Sequence, residues 1–149
     1  LKVEVTDAPI TMVTMIGFNA SEPENLPILM DEVRGSGGRI VSSSIEGRSA
    51  IFYVEGGQGV LNRLHHVMVT KGLGKALSFY ENLTMVTVKG RAMETAPGMI
   101  QRATQPLARE GINIFGLVTI ASSIRIFVKR DDGDKTVSLL KDALMVTES

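Results

Sequence analysis

The chain has 149 residues, 44% apolar and 21% charged, which suits one domain or two small ones with a buried core. Its 16 basic residues balance its 16 acidic ones, so no net field draws it to nucleic acid or to an anionic membrane. Cysteine is absent, which excludes disulfides, thiolate nucleophiles and Cys-based metal sites. The longest apolar runs, 26–30 and 50–54, fall far short of the roughly 20 residues of a membrane-spanning helix. The N-terminus lacks the basic and apolar segments of a signal peptide, so a cytoplasmic location is expected. The chain begins with Leu1, which points to a processed protein or a segment of a longer one.

In chain order, a β-rich run over 2–6 precedes Ile10-Thr11-Met12-Val13-Thr14-Met15-Ile16-Gly17, which reads as a strand ending in glycine. Leu26, Leu29, Met30 and Val33 then recur at helical spacing, and Gly35 to Gly38 close that helix. Strands follow over 39–46 and 49–55, then a second helix carrying Leu61, Leu64 and Met68. From residue 75 the same succession starts again: a β run over 75–80 and a strand over 83–90. A helix with Met99, Ala103 and Leu107 follows and ends at Gly111. Strands over 112–120 and 123–130 and a helix with Val137, Leu140 and Leu144 complete it.

The two halves are copies of one unit. Thr-Met-Val-Thr and a closing glycine recur at a spacing of 73 (Gly17 and Gly90), and Ser49 to Val54 matches Ser123 to Val128 at 74. Each copy reads ββαββα, and moving its first strand to the end gives βαββαβ. The expected fold class is α+β: two tandem ferredoxin-like units, permuted in this sense, over 1–72 and 73–149, with helices on one face of each antiparallel sheet. At about 70 residues a copy is near the lower limit for a self-sufficient core, which favours pairing of copies and a dimer.

The densest run of special residues joins the second copy's strand to its helix: Gly90-Arg91-Ala92-Met93-Glu94-Thr95-Ala96-Pro97-Gly98-Met99. Proline suits a first helical turn, glycine permits close backbone approach, and the amides at a helix start face outward with the dipole behind them. A carboxylate is stabilised there, although every helix N-terminus shares that property and a plain turn explains the run as well. After the helix, Gly111-Ile112-Asn113-Ile114 places an amide with both donor and acceptor at a strand start, where an Asn also commonly satisfies its own turn.

From Gly90 to Leu144 the chain resembles an ACT domain, and most of all the second such unit in the C-terminal region of aspartate kinases. The likeness rests on the strand ending in Gly90, the Met93 and Pro97-Gly98 loop, Gly111-Ile112-Asn113-Ile114, and Ser122 to Val128. The first copy matches less well, with no Pro-Gly pair in Asn19 to Asn25 and Arg39 where Asn113 stands in the second. Pro106 departs from the pattern too, and is expected to kink its helix. The resemblance implies a non-catalytic regulatory module that binds a free amino acid of the lysine or threonine kind between units. Met93, Glu94, Thr95, Ala96, Pro97, Gly98, Met99, Asn113, Ile114 and Phe115 would contribute to that site. It implies no cofactor, a homodimer formed through ACT units, and a kinase catalytic domain as a partner. The alternative is an ACT-fold assembly module without a ligand.

Other chemistry fares worse. His65 and His66 are the only histidines and point about 100° apart on a helix, which does not suit metal chelation. No GxSxG elbow or phosphate-binding GxxxxGK[ST] loop occurs, so neither hydrolysis nor phosphoryl transfer has residues to carry it. Asp131-Asp132-Gly133-Asp134 lacks the remaining ligands of a calcium loop and reads as a turn before a helix.

Overall fold

The computed structural model describes residues 1–144. The strands are β1 (Lys2–Val5), β2 (Ile10–Ile16), β3 (Arg39–Glu46), β4 (Ser49–Glu55), β5 (Ala76–Lys89), β6 (Gly116–Ile120) and β7 (Ser123–Lys129). The helices are α1 (Asn25–Gly35), α2 (Val60–Lys71), α3 (Ala92–Thr95), α4 (Met99–Arg109) and α5 (Gly133–Leu144), with a 3₁₀ turn at Arg130–Asp132.

Two compact units divide the chain. One, the inserted unit, is Ala8–Glu81; the other, the split unit, joins Leu1–Asp7 to the chain from Asn82 onward. The inserted unit runs β2, α1, β3, β4, α2 and the first part of β5, a βαββαβ order, with strands arranged β3-β4-β2-β5. The split unit runs from the second part of β5 through α3, α4, β6, β7 and α5, and takes β1 as its fourth strand in the order β1-β5-β7-β6. Both are ferredoxin-like α+β units, the second permuted because its fourth strand comes from the front of the chain.

The boundary expected between 72 and 73 is therefore displaced. β1 pairs antiparallel with β5 from Lys2↔Lys89 to Val5↔Val86, which places it in the sheet of the second copy. Sequence matching equates β1 with 75–80, and both are indeed fourth strands, but local sequence does not specify the sheet that each joins. Residues 145–149 of the expected second unit lie outside the described residues. The expected strands over 75–80 and 83–90 form one continuous element, β5, with Asn82 at a left-handed φ of 62° where the chain passes from one unit to the next.

In the inserted unit, Leu29 and Val33 of α1 and Leu64, Val67 and Met68 of α2 bury against Val13, Met15, Phe52 and Val54 of the sheet. In the split unit, Met99, Ala103 and Leu107 of α4 and Leu140 and Leu144 of α5 meet Val86, Val88, Ile124, Ile126 and Val128. Alternation along the strands puts these residues on one face, as the periodicity predicts. The helix stops also lie where expected. Beyond α4, Gly111 adopts φ 70° and the next amide, Ile112 N–H, returns to the Leu107 carbonyl at 2.9 Å, satisfying an end carbonyl of the helix. Pro106 lies inside α4 without ending it, since the helix continues to Arg109.

Candidate functional site

β5 ends beside the β6–β7 hairpin: Lys89 pairs with Ser123, and Gly90 N–H donates to the Ser122 carbonyl at 2.9 Å. A Cβ on Gly90 would lie 2.8 Å from Leu1 Cδ2 and 3.1 Å from Leu1 Cα, so the chain needs glycine at this turn. The expected loop then forms the extra helical turn α3, with Met93 N–H on Gly90 O and Ala96 N–H on Ala92 O. Met93 and Ala96 pack on the split unit's core. Glu94, Thr95, Pro97 and Gly98 are exposed, and the Thr95 hydroxyl donates to the Arg91 carbonyl at 3.2 Å.

Gly98, not Pro97, caps α4, with φ 72°. That left-handed residue turns the chain into the helix and leaves the first-turn amides without intrahelical acceptors, while Arg102 N–H closes the first turn onto Gly98 O at 3.0 Å. Met99 is buried in the core, where its sulfur accepts from Arg102 Nη1 at 3.6 Å. Within this run, then, Glu94, Thr95, Pro97 and Gly98 face solvent, whereas Met93, Ala96 and Met99 hold the loop onto the unit.

Asn113, Ile114 and Phe115 lie elsewhere. β6 begins at Gly116 and not at Ile112, so Gly111 to Phe115 is a connection whose last amide, Phe115 N–H, donates to Phe127 O at 2.8 Å. Asn113 is exposed and Ile114 packs on the core. Along β7 the loop after Gly90 leaves beside Ser123, whereas the 111–115 connection arrives beside Phe127, about 13 Å away at the strand rise. One unit therefore keeps the two groups of expected site residues at opposite ends of its sheet.

The inserted unit holds a feature that reading the sequence missed. Its strand-to-helix loop, matching the one after Gly90, borders a cleft of about 480 Å³ lined by Gly17, Phe18, Asn19, Ala20, Ser21, Gly47 and Arg48. Phe18 N–H donates to Arg48 O at 2.9 Å, tying the loop to the β3–β4 turn. Asn25, buried at the start of α1, donates from Nδ2 to Asn19 O at 2.8 Å, and Asn19 Oδ1 accepts from both the amide and the hydroxyl of Ser21. Arg48 is the one charged residue in this lining and suits it to an anionic group. The signal lies in the glycine shared by the repeats, Gly17 and Gly90, although the loop after Gly17 lacks the Pro-Gly pair found after Gly90.

Charge elsewhere is arranged on the split unit's sheet. Glu4 sits between Lys2 at 2.9 Å and Lys89 at 3.3 Å, and its hydrogen bonds with Lys2 and then Lys89 hold its carboxyl below the usual carboxylate range. Burial pushes the Tyr53 phenol above its ordinary value. Among the described residues no cluster of His, Cys, Asp or Glu could hold a metal ion, and no helix is long and apolar enough to cross a membrane. His65 and His66 are both exposed on α2.

Residues 78–142 match the family model of the ACT domain. The fold is similar to that of aspartokinase alpha and beta subunits, with a TM-score of 0.82 at 16% identity over 98% of this chain and 99% of that one. It is also similar to the ligand-free regulatory subunit of aspartate kinase from Thermus thermophilus, at TM-score 0.77 and 17% identity over 95% of both chains. Against the aspartate kinase of Clostridium acetobutylicum, an allosteric enzyme, the TM-score is 0.83 at 14% identity, over 95% of this chain but 33% of that enzyme. No curated protein sequence matches this chain. At these identities the likeness to solved structures is one of fold.

Proposed function

This chain carries an ACT domain and resembles the regulatory region of aspartate kinases, and from that premise we propose that it is a non-catalytic module that binds a free amino acid and regulates a kinase catalytic domain or subunit. The observation that carries the reading is the Gly98 cap, which leaves the first-turn amides of α4 without intrahelical acceptors in the same exposed loop as the Glu94 carboxylate. An α-carboxylate is stabilised by amides at a helix start, and Glu94 suits an ammonium, including that of a lysine-type side chain.

Because Asn113 lies at the other end of the unit's sheet, the effector would be shared between chains. The Met93 to Met99 loop of one chain takes one end, and Asn113 to Phe115 of a second chain supplies an amide to the other. Binding across such a seam favours one arrangement of a homodimer, and a coupling of about 1–3 kcal/mol suffices for a regulatory effect. Calorimetric titration of the folded protein with lysine, threonine and the other free amino acids tests the reading. A saturable isotherm for at least one of them, weakened by Glu94→Gln or Asn113→Ala, is expected.

The separation of the two residue groups also favours a second reading, an ACT-fold assembly module with no ligand. It predicts a dimer whose melting temperature is indifferent to every amino acid, because only a ligand that prefers the native form raises it.

A further inference from the structure

The two copies of the repeat differ on the sheet face that the helices leave open. In the split unit Val86, Val88, Ile124 and Ile126 meet the helices, so Thr87, Lys89, Ser123 and Arg125 lie on the other face. Pairing sets Thr87 opposite Arg125 and Lys89 opposite Ser123, a square with cations on one diagonal and hydroxyls on the other. The inserted unit builds the same square from Thr14 opposite Ile51 and Ile16 opposite Ser49. Both hydroxyl residues recur, while isoleucine stands where the second copy has Lys89 and Arg125. A sheet of this kind forms without the two charges, so their presence calls for a reason other than folding.

The four residues of the square, with Glu4 beside them, line a depression of about 270 Å³ within the split unit. Thr87 is only 9% exposed, and the Ser123 hydroxyl donates to Ile120 O at 2.9 Å, so donors to a ligand come from Lys89, Arg125 and Thr87. Glu4 lies opposite Thr87 on β1 and is bracketed by Lys2 at 2.9 Å and Lys89 at 3.3 Å. Three cations thus share this face with one carboxylate, a local excess of two positive charges on a chain whose net charge is zero. Val118 and Ile120 pair with Arg125 and Ser123, so apolar side chains adjoin the cations on the same face.

We propose that this open face binds a phosphate dianion, free or carried on a small phosphomonoester. Such a group bears about −1.5 to −2 charge at neutral pH, which balances the local excess. A guanidinium is a planar fork that pairs with two phosphate oxygens at once, and this is the role of Arg125; Lys89 supplies a point charge from the opposite corner. The Thr87 hydroxyl donates from between them. Glu4 competes with the ligand for Lys89 and so tempers its affinity. The depression holds more than a bare phosphate, and Val118 and Ile120 offer apolar surface to the carbon body of an ester. The site adds a second class of ligand and does not depend on amino-acid binding.

Amide NMR titration of the full-length chain with inorganic phosphate, at neutral pH and at ionic strength held constant with chloride, tests the site. Saturable shifts are expected at Thr87, Lys89 and Arg125. Arg125→Gln should weaken binding about tenfold or more, and Arg125→Lys, which keeps the charge but loses the fork, should weaken it several-fold. Glu4→Gln should tighten binding, while Lys141→Gln on α5, an equal loss of charge away from this face, should leave it unchanged. Since the first copy carries isoleucine in place of Arg125, the exchanges at this position spare the sheet, and the amide spectra report that directly. Titration with glycerol 3-phosphate identifies the source. Tighter binding than that of phosphate assigns the site to a phosphomonoester, and equal or weaker binding assigns it to the free ion. No saturable shift on this face at millimolar phosphate overturns the proposal. So does binding that Arg125→Lys leaves intact, which reduces the face to a diffuse positive patch.

Discussion

Deleting Leu1–Asp7 from the otherwise full chain should unfold the split unit and spare the inserted one. β1 pairs four residues with β5, and Thr6 N–H donates a further hydrogen bond to Met85 O at 3.0 Å. Two further bonds depend on the segment: Thr84 Oγ1 donates to Thr6 O at 2.9 Å, and Arg130 Nη2 to Asp7 O at 2.6 Å. Leu1 and Val3 are half-buried against the core. Half-burial of two aliphatic side chains is worth about 2–3 kcal/mol, and the hydrogen bonds contribute a comparable net amount at about 0.5–1 kcal/mol each. A loss of about 5 kcal/mol consumes most of the stability of a unit of this size. Hydrogen exchange reads the outcome segment by segment: amides of β7 and α5 should lose protection, and those of β4 and α2 should keep it. Equal protection in the truncated and intact chains, or loss confined to 8–81, would refute the assignment of β1 to the second copy's sheet.

Three further outcomes follow from buried groups. Thr136 is fully buried in α5 and its hydroxyl has no hydrogen-bond partner among the described residues, so Thr136→Val should stabilise by about 1–2 kcal/mol in denaturant unfolding, while Thr136→Ser should not. A Cβ on Gly38 would lie 2.9 Å from Val54 Cγ1 and 3.2 Å from Gly57 Cα, so Gly38→Ala should cost about 1–3 kcal/mol by overpacking; a neutral result would show that the two glycine loops can part freely. Burial raises the Tyr53 phenol above 10, so the neutral form is favoured in the fold. Its contribution is complete below the unfolded value near 10 and is lost as pH rises through the folded value. The tyrosinate absorbance removed by Tyr53→Phe should therefore titrate above pH 10, and the variant should lose less stability under alkali than the parent.

What could be read from the sequence was the local pattern and its repetition. β3 and β4 coincide with the expected spans at 39–46 and 49–55, where Gly38, Gly47 and Gly56 flank a β-branched start in β3 and a continuous apolar run in β4. The helix stops at Gly35 to Gly38 and Gly111 follow from the low cost of left-handed glycine. Partner choice was not legible. β1 and the start of β5 occupy equivalent places in the repeat, and only non-local pairing decides that β1 joins the second copy's sheet. The same limit applies to the site. Gly98 and Asn113 could both be singled out by residue type, but their separation along β7 depends on the register of β6 and β7, set when the sheet forms. The cleft beside Gly17 escaped because its lining comes from backbone and small side chains, which leave little mark in composition.

Calorimetry of the folded, full-length chain against each of the twenty free amino acids tests the regulatory reading most directly. It predicts saturable heat for at least one, with binding weakened by Glu94→Gln or by Asn113→Ala. Silence from all twenty at millimolar ligand, in protein that melts cooperatively, would contradict it and leave the ligand-free assembly module.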